Sequence, residues 1–327
     1  MQNFGFDIKA YKEKTEIRRA ANCIGAAYAL MFAVSFGLSL VIIAVVLLTG
    51  GNMQSASAIF DDSIFFWVLQ AVLSAVMFTL PYILTAKLCG RRLSRIIECK
   101  KPKKGMFLPL VMLGVGICQL GQIMTSLFAS VMEGFGVSPT MPSMEYDTSV
   151  YGIVLGFFVS SVVPAFVEEF AFRGVTMGLL RRFGDGFAII VSSILFGLMH
   201  GNLLQAPFAL VVGLGLGFVA VKSGSIWTAV TVHFINNAGA VVLDYLTMGM
   251  SDRGADIIYS IYSILLLVVG VAGFILSSKR DSGLWAPLKS ETTMSLRKKI
   301  SAVFSSPFII VALIITAIQM ILVQVMY

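Results

Sequence analysis

The chain has 327 residues, of which 57% are hydrophobic and only 13% charged, and its mean hydropathy is +0.90. That composition excludes a soluble domain and points to a polytopic membrane protein. The formal net charge of +7 arises from Lys and Arg in short loops between apolar runs, where the positive-inside rule accounts for it without any nucleic-acid partner.

In chain order, a polar, mixed-charge stretch to about Asn22 leads into an apolar run ending at Thr49. Its length predicts a retained first transmembrane helix rather than a cleavable signal. Further apolar runs lie near 64–86, 106–131, 150–172, 187–200, 206–222, 225–248, 257–277 and 303–325. The prediction is an all-α membrane helix bundle of about nine transmembrane helices, with 187–222 its least regular part because its two members are short. A three-span N-terminal region (1–149), a central region (150–248) and a two-span C-terminal region with a basic linker (249–327) follow from this order.

Loop charge gives an orientation. The linker 87–105 carries Lys87, Arg91, Arg92, Arg95, Lys100, Lys101, Lys103 and Lys104, whereas 50–63 offers Asp61 and Asp62, and 132–149 offers Glu133, Glu145 and Asp147. The basic linker is therefore expected in the cytosol, and alternation then puts the N-terminus inside and the C-terminus outside. The stretch 278–302, with Trp285 and Pro287 among Lys and Arg, is expected to be a solvated linker rather than a segment lying along the membrane surface. Cys23, Cys89, Cys99 and Cys118 show no metal-ligand spacing and are expected to be reduced bystanders. Gly156, Gly178, Gly213, Gly215 and Gly217 suit close helix packing, Gly213 and Gly217 forming a GxxxG pair.

Chemistry concentrates in three apolar runs. The fourth contains Pro164-Ala-Phe-Val-Glu168-Glu169-Phe-Ala-Phe-Arg173, and ionisable groups at that depth are costly enough to signal function by default. Glu169 and Arg173 form an i,i+4 pair, while Glu168, about 100° round the helix, is left to face a cavity. Pro164 cannot donate to the Ser160 carbonyl, so a kink or gap is expected there. The next run ends Phe196-Gly-Leu-Met-His200, and the seventh holds His233-Phe-Ile-Asn236-Asn237, with His233 and Asn237 on one helical face. These are the only two histidines in the chain. At 1.5 Å per residue, Glu168, His200, His233 and Asn237 all fall roughly 13 to 20 Å from one membrane face.

The pattern Glu168-Glu169-x-x-x-Arg173, Phe196-x-x-x-His200, His233-x-x-x-Asn237 resembles the CPBP family of intramembrane proteases, which includes the CAAX prenyl endopeptidases of the Rce type and bacterial Abi proteins. The resemblance covers about 150–245 and implies a CPBP-like catalytic core in the central region. It implies that Glu168 and His200 activate a water and that His233 and Asn237 form an oxyanion hole, with Glu169 and Arg173 supporting. It also implies a peptide or lipid-modified protein as substrate and no cofactor.

Other readings remain open at the level of sequence. Glu168, His200 and His233 could supply a two-His, one-carboxylate zinc set, although HExxH is absent. A transporter or a peptide-binding immunity protein could use the same buried Glu, His and Arg, although no second copy of the motifs suggests a transporter repeat. The charge contrast between loops is directly testable: a reporter fused after Lys100 is expected to read as cytosolic and one near Asp147 as external, and the opposite labelling would overturn the orientation.

Overall fold

The computed structural model describes residues 7–51, 63–139, 148–290 and 292–326, and these are helical with no strand. The acidic loop residues Asp61, Asp62, Glu145 and Asp147 lie outside the described residues. The helices are α1 (Ile8–Leu48), α2 (Ser63–Leu88) and α3 (Phe107–Gly134), then α4 (Val150–Phe183), α5 (Asp185–Met199), α6 (Gln205–Ser223) and α7 (Ile226–Thr247). The chain continues with α8 (Asp252–Arg280), α9 (Leu296–Phe304) and α10 (Pro307–Met326). Among the described residues eight helices are long and apolar enough to cross a membrane, and α5 is a shorter apolar helix. The protein is an integral membrane helix bundle.

Helix α1 starts well before the apolar run, because the polar stretch holds no Gly or Pro from Ile8 to Asn22 and because Asp7 caps it, accepting from the N–H groups of Lys9 and Ala10 at 3.0 and 3.1 Å. Ile17, Ala20 and Ala21 from that stretch are buried. At 15 residues, α5 rises only about 22 Å, short of the ~30 Å hydrocarbon layer. The residue that ends it is His200.

Glycine lets the central helices meet. A Cβ on Gly116 of α3 would stand 2.5 Å from the Cα of Gly270 on α8, so the two backbones touch there as small-residue interfaces in membranes do. On α6, Gly213 faces Ser193 and Gly217 faces Ile189 of α5, which is the use that their spacing suggested.

The segment 278–302 differs from the solvated linker expected. Leu284 and Met294 are buried, and the indole of Trp285 stacks on Phe218 with ring centroids 5.5 Å apart. The ammonium of Lys299, on α9, donates to the Phe183 carbonyl at 2.6 Å and to Thr292 Oγ1 at 2.7 Å, satisfying an orphan carbonyl at the end of α4. Its apolar residues and this lysine dock the segment against the basic end of the bundle.

Gly116→Leu is expected to force α3 and α8 apart at a cost of about 1–3 kcal/mol and to lower the thermal midpoint in detergent. Gly37→Leu, where an added Cβ meets nothing within 4 Å, should leave it unchanged.

Candidate active site

The local fold of α4 follows from its composition. Val150–Phe157 and Val163–Glu169 are α-helical, whereas Phe158–Val162 and Phe170–Thr176 widen into π turns. Single π turns inside helices frequently mark functional sites, and these two bracket Glu168 and Glu169. The first contains Ser160, whose carbonyl Pro164 cannot engage; Asn237 Nδ2 donates to that oxygen at 3.4 Å. In the second, the Phe172 carbonyl accepts from Ser192 Oγ of α5 at 2.9 Å. The Phe172 oxygen also accepts the Met177 N–H, so carbonyls of the two widened turns take side-chain donors that bind α4 to α7 and α5.

Glu169 is fully buried. Its Oε1 accepts from Arg173 at 2.8 Å and from His233 Nδ1 at 2.9 Å. Arg173, also buried, donates onward to the Gly213 carbonyl of α6 at 3.3 Å and lays its guanidinium 4.1 Å above the ring of Phe196. A charge with these partners is tolerable inside a membrane; either one alone would not be.

Glu168 is the more open of the two: its side chain keeps 13% of its surface accessible, against none for Glu169. Its Oε2 lies 3.8 Å from His233 Nε2. Phe196 joins the two histidines, meeting His200 edge-on at 5.3 Å and His233 at 5.8 Å between centroids.

Hydrogen-bond partners fix the ring nitrogens. His200 Nδ1 lies 2.9 Å from the Phe196 carbonyl, which can only accept, so Nδ1 carries the proton and Nε2 is left free. The same logic at His233 commits Nδ1–H to Glu169 and turns Nε2 toward Glu168. Asn236 Nδ2 donates to Asn237 Oδ1 at 3.1 Å, and Asn237 Nδ2 is the donor that reaches Ser160 on α4.

All six residues singled out in the sequence therefore belong to one region where α4, α5 and α7 meet. The i,i+4 pairing of Glu169 with Arg173 is as the spacing predicted. What the sequence did not reveal is that Glu169 also holds His233, and that Phe196 forms the platform between the rings. Nor did it reveal Tyr82 of α2, fully buried with its hydroxyl unpartnered, whose ring lies 5.8 Å from Phe172. Among the described residues no three His, Cys, Asp or Glu side chains are grouped so that they could hold a metal ion.

The site is a buried Glu-Arg-His cluster on three core helices of an all-helical membrane bundle, and comparison with known proteins finds similarity over this region. Residues 150–239 match the family of type II CAAX prenyl endopeptidases, Rce1-like, and this segment is an Rce1-like domain. The chain is 26% identical over 177 residues to the membrane-embedded CAAX protease MroQ of Staphylococcus aureus (strain USA300), a match covering 51% of this chain and 70% of MroQ. It is 27% identical over 95 residues to YdiL of Bacillus subtilis (strain 168), described as a candidate membrane peptidase, covering 29% of this chain and 39% of YdiL. No solved structure gives a significant match.

The two carboxylates should separate in stability. Glu169→Gln leaves the Arg173 guanidinium buried without its counter-charge, and breaking such a pair costs about 3–5 kcal/mol. Glu168→Gln, which removes no direct hydrogen bond, should melt within a degree or two of the wild type. Equal midpoints in a thermal scan of the purified variants would overturn this division.

Proposed function

We propose that the chain is an intramembrane endopeptidase that hydrolyses a peptide bond of a membrane-associated or lipid-modified peptide with a water activated by Glu168 and His200. The observation that carries this reading is that the accessible carboxylate, Glu168, sits beside a second carboxylate already committed to Arg173 and His233. One glutamate is fixed as structure and the other is free for proton transfer.

The chemistry runs through the nitrogens and oxygens left unoccupied. Glu168, assisted by His200 Nε2, takes a proton from water as its oxygen attacks the peptide carbonyl carbon. Negative charge then builds on the carbonyl oxygen. Asn237 has one N–H directed to Ser160 O and a second available for that oxyanion. His233, its Nδ1–H held by Glu169, donates from Nε2 when the ring is doubly protonated. Collapse breaks the C–N bond, and the proton held by the Glu168/His200 unit passes to the leaving nitrogen. A carboxylic acid and an amine result, and the Glu168/His200 unit returns to its starting state.

The family match supports peptide hydrolysis as the reaction, and the carboxylate and imidazole set is sufficient for it without a metal, which is the reading we adopt. Orientation belongs to the same proposal: the N-terminus in the cytosol, the C-terminus outside and the reaction within the membrane.

The test is a cleavage series with purified protein, using peptides that comparative mass spectrometry shows to accumulate in cells carrying Glu168→Gln. Glu168→Gln and His200→Ala should each lose at least about 10²-fold in turnover, and their double variant should be little worse than either alone. His233→Ala and Asn237→Ala should each lose about 10² to 10³-fold, the usual cost of an oxyanion donor. Full cleavage by folded Glu168→Gln would sink the glutamate mechanism. Quantitative metal analysis of the active protein should find no stoichiometric zinc; one zinc per chain, lost with activity on chelation, would recast Glu168, His200 and His233 as ligands.

A further inference from the structure

Away from the candidate active site, the basic end of the bundle holds two adjacent cavities of opposite character. The first, of about 470 Å³, is lined by Arg95, Arg181, Arg182 and Lys289 together with Glu98 and Asp185. Both carboxylates are already taken: Arg181 reaches Glu98 at 2.7 Å and Asp185 at 2.7 Å. Arg182 pairs with Glu16 at 2.9 Å. Among the described residues Arg95 and Lys289 have no ion-pair partner, and with Arg181 between two carboxylates and Arg182 on Glu16 the cavity keeps a net positive charge.

The second cavity, of about 490 Å³, is an apolar groove between α5 and α6, with Ile190, Leu214, Phe218, Trp285 and Leu288 in its walls. The two meet at the start of α5. Gly184 and Asp185 border the first and Gly186 the second, while Lys289 and Leu288 do the same from the docked segment. The Asp185 N–H donates to the Lys289 carbonyl at 2.9 Å, which holds that shared rim in place. Trp285 is tied by Nε1 to Ser278 Oγ at 2.8 Å, with its ring on Phe218, in the manner of an aromatic residue at a membrane interface.

A cationic cavity opening beside an apolar groove at the level where headgroups meet acyl chains matches one kind of ligand. We propose that this is a binding site for an anionic diacyl phospholipid, whose phosphate lies between Arg95 and Lys289 and one of whose acyl chains fills the groove along α5 and α6. Charge complementarity selects the anionic headgroup, since a zwitterionic lipid would bring its own cation to a cavity that is already net positive. The lipid would bridge α5, α6 and the 281–290 segment, and so brace the short helix that carries His200. No catalytic residue contributes to this site, which is therefore independent of the proposed activity.

The test uses the full chain, delipidated in detergent and titrated with dioleoyl phosphatidylglycerol under native mass spectrometry. Dioleoyl phosphatidylcholine and inorganic phosphate serve as comparisons. One phosphatidylglycerol is expected to be retained where phosphatidylcholine is not, and millimolar phosphate should fail to displace it. Arg95→Gln with Lys289→Gln, both exposed positions, should weaken retention at least tenfold. Leu214→Trp, which narrows the groove, should do the same and carries the test alone if the charge variant fails to fold. Lys100→Gln with Lys101→Gln, elsewhere on the basic linker, should change nothing. Equal retention of the two lipids, equal loss in the Lys100/Lys101 control, or displacement by phosphate would each overturn the proposal.

Discussion

The structure depends on a single carboxylate oxygen. Glu169 Oε1 receives both Arg173 and His233, and it does so with no exposure to solvent. In a medium where an isolated polar or charged group costs several kcal/mol, a carboxylate between a guanidinium and an imidazole gives each of the three a partner. Arg173 comes from the same helix and His233 from α7, so the oxygen that neutralises the arginine also sets the position of α7 against α4. Through Arg173 the constraint extends to Gly213 of α6. Three helices are registered by one buried anion.

That registration also fixes the ring nitrogens nearest Glu168. His233 is held by Nδ1 and so presents Nε2; His200 is held by its own helix through the Phe196 carbonyl and leaves Nε2 free. The aromatic ring of Phe196 is packed on its face by Arg173 and at its edges by both imidazoles and Phe172, so a shift of any one of them would disturb the others. Cation–π and edge-on aromatic contacts are modest singly, about 0.5–2 kcal/mol. Their value here is geometric, because they fix ring planes that hydrogen bonds at one atom would leave free to rotate.

The legible part of the site was the part encoded within a single helix. Spacing of four predicts that Glu169 meets Arg173 and that His233 and Asn237 share a face; the missing N–H of Pro164 predicts the open Ser160 carbonyl; and depth along each run brings the motifs to one level. Bonds between helices are not written in any period. Nothing in the sequence indicates that Asn237 closes the Ser160 carbonyl, that Glu169 rather than Glu168 accepts from His233, or that Phe196 is shared by two rings. The solvated reading of 278–302 failed for a related reason. Its Lys and Arg content suggests solution, but Leu284, Met294 and the Lys299 ammonium find partners on other helices that local composition does not show.

The outer helices, which carry none of the three motifs, take their meaning from the same geometry. Helix α2 brings Phe78 and Tyr82 against Phe172, one helical turn beyond Glu168. Val232, next to His233, fills the space that Gly114 of α3 leaves open. At the end of α5 the chain turns through Gly201 at φ 59°, a conformation that favours glycine, and the Gln319 carboxamide of α10 occupies the space a Cβ would need. The turn after His200 is thus closed by the last helix in the chain. The carbonyls at the end of a helix need partners of their own, and burial of that end by a neighbouring helix makes the need greater. The spans outside the motif core therefore pack against the helices that carry the motifs, α10 against the turn that follows His200 and α2 and α3 beside Phe172 and Val232.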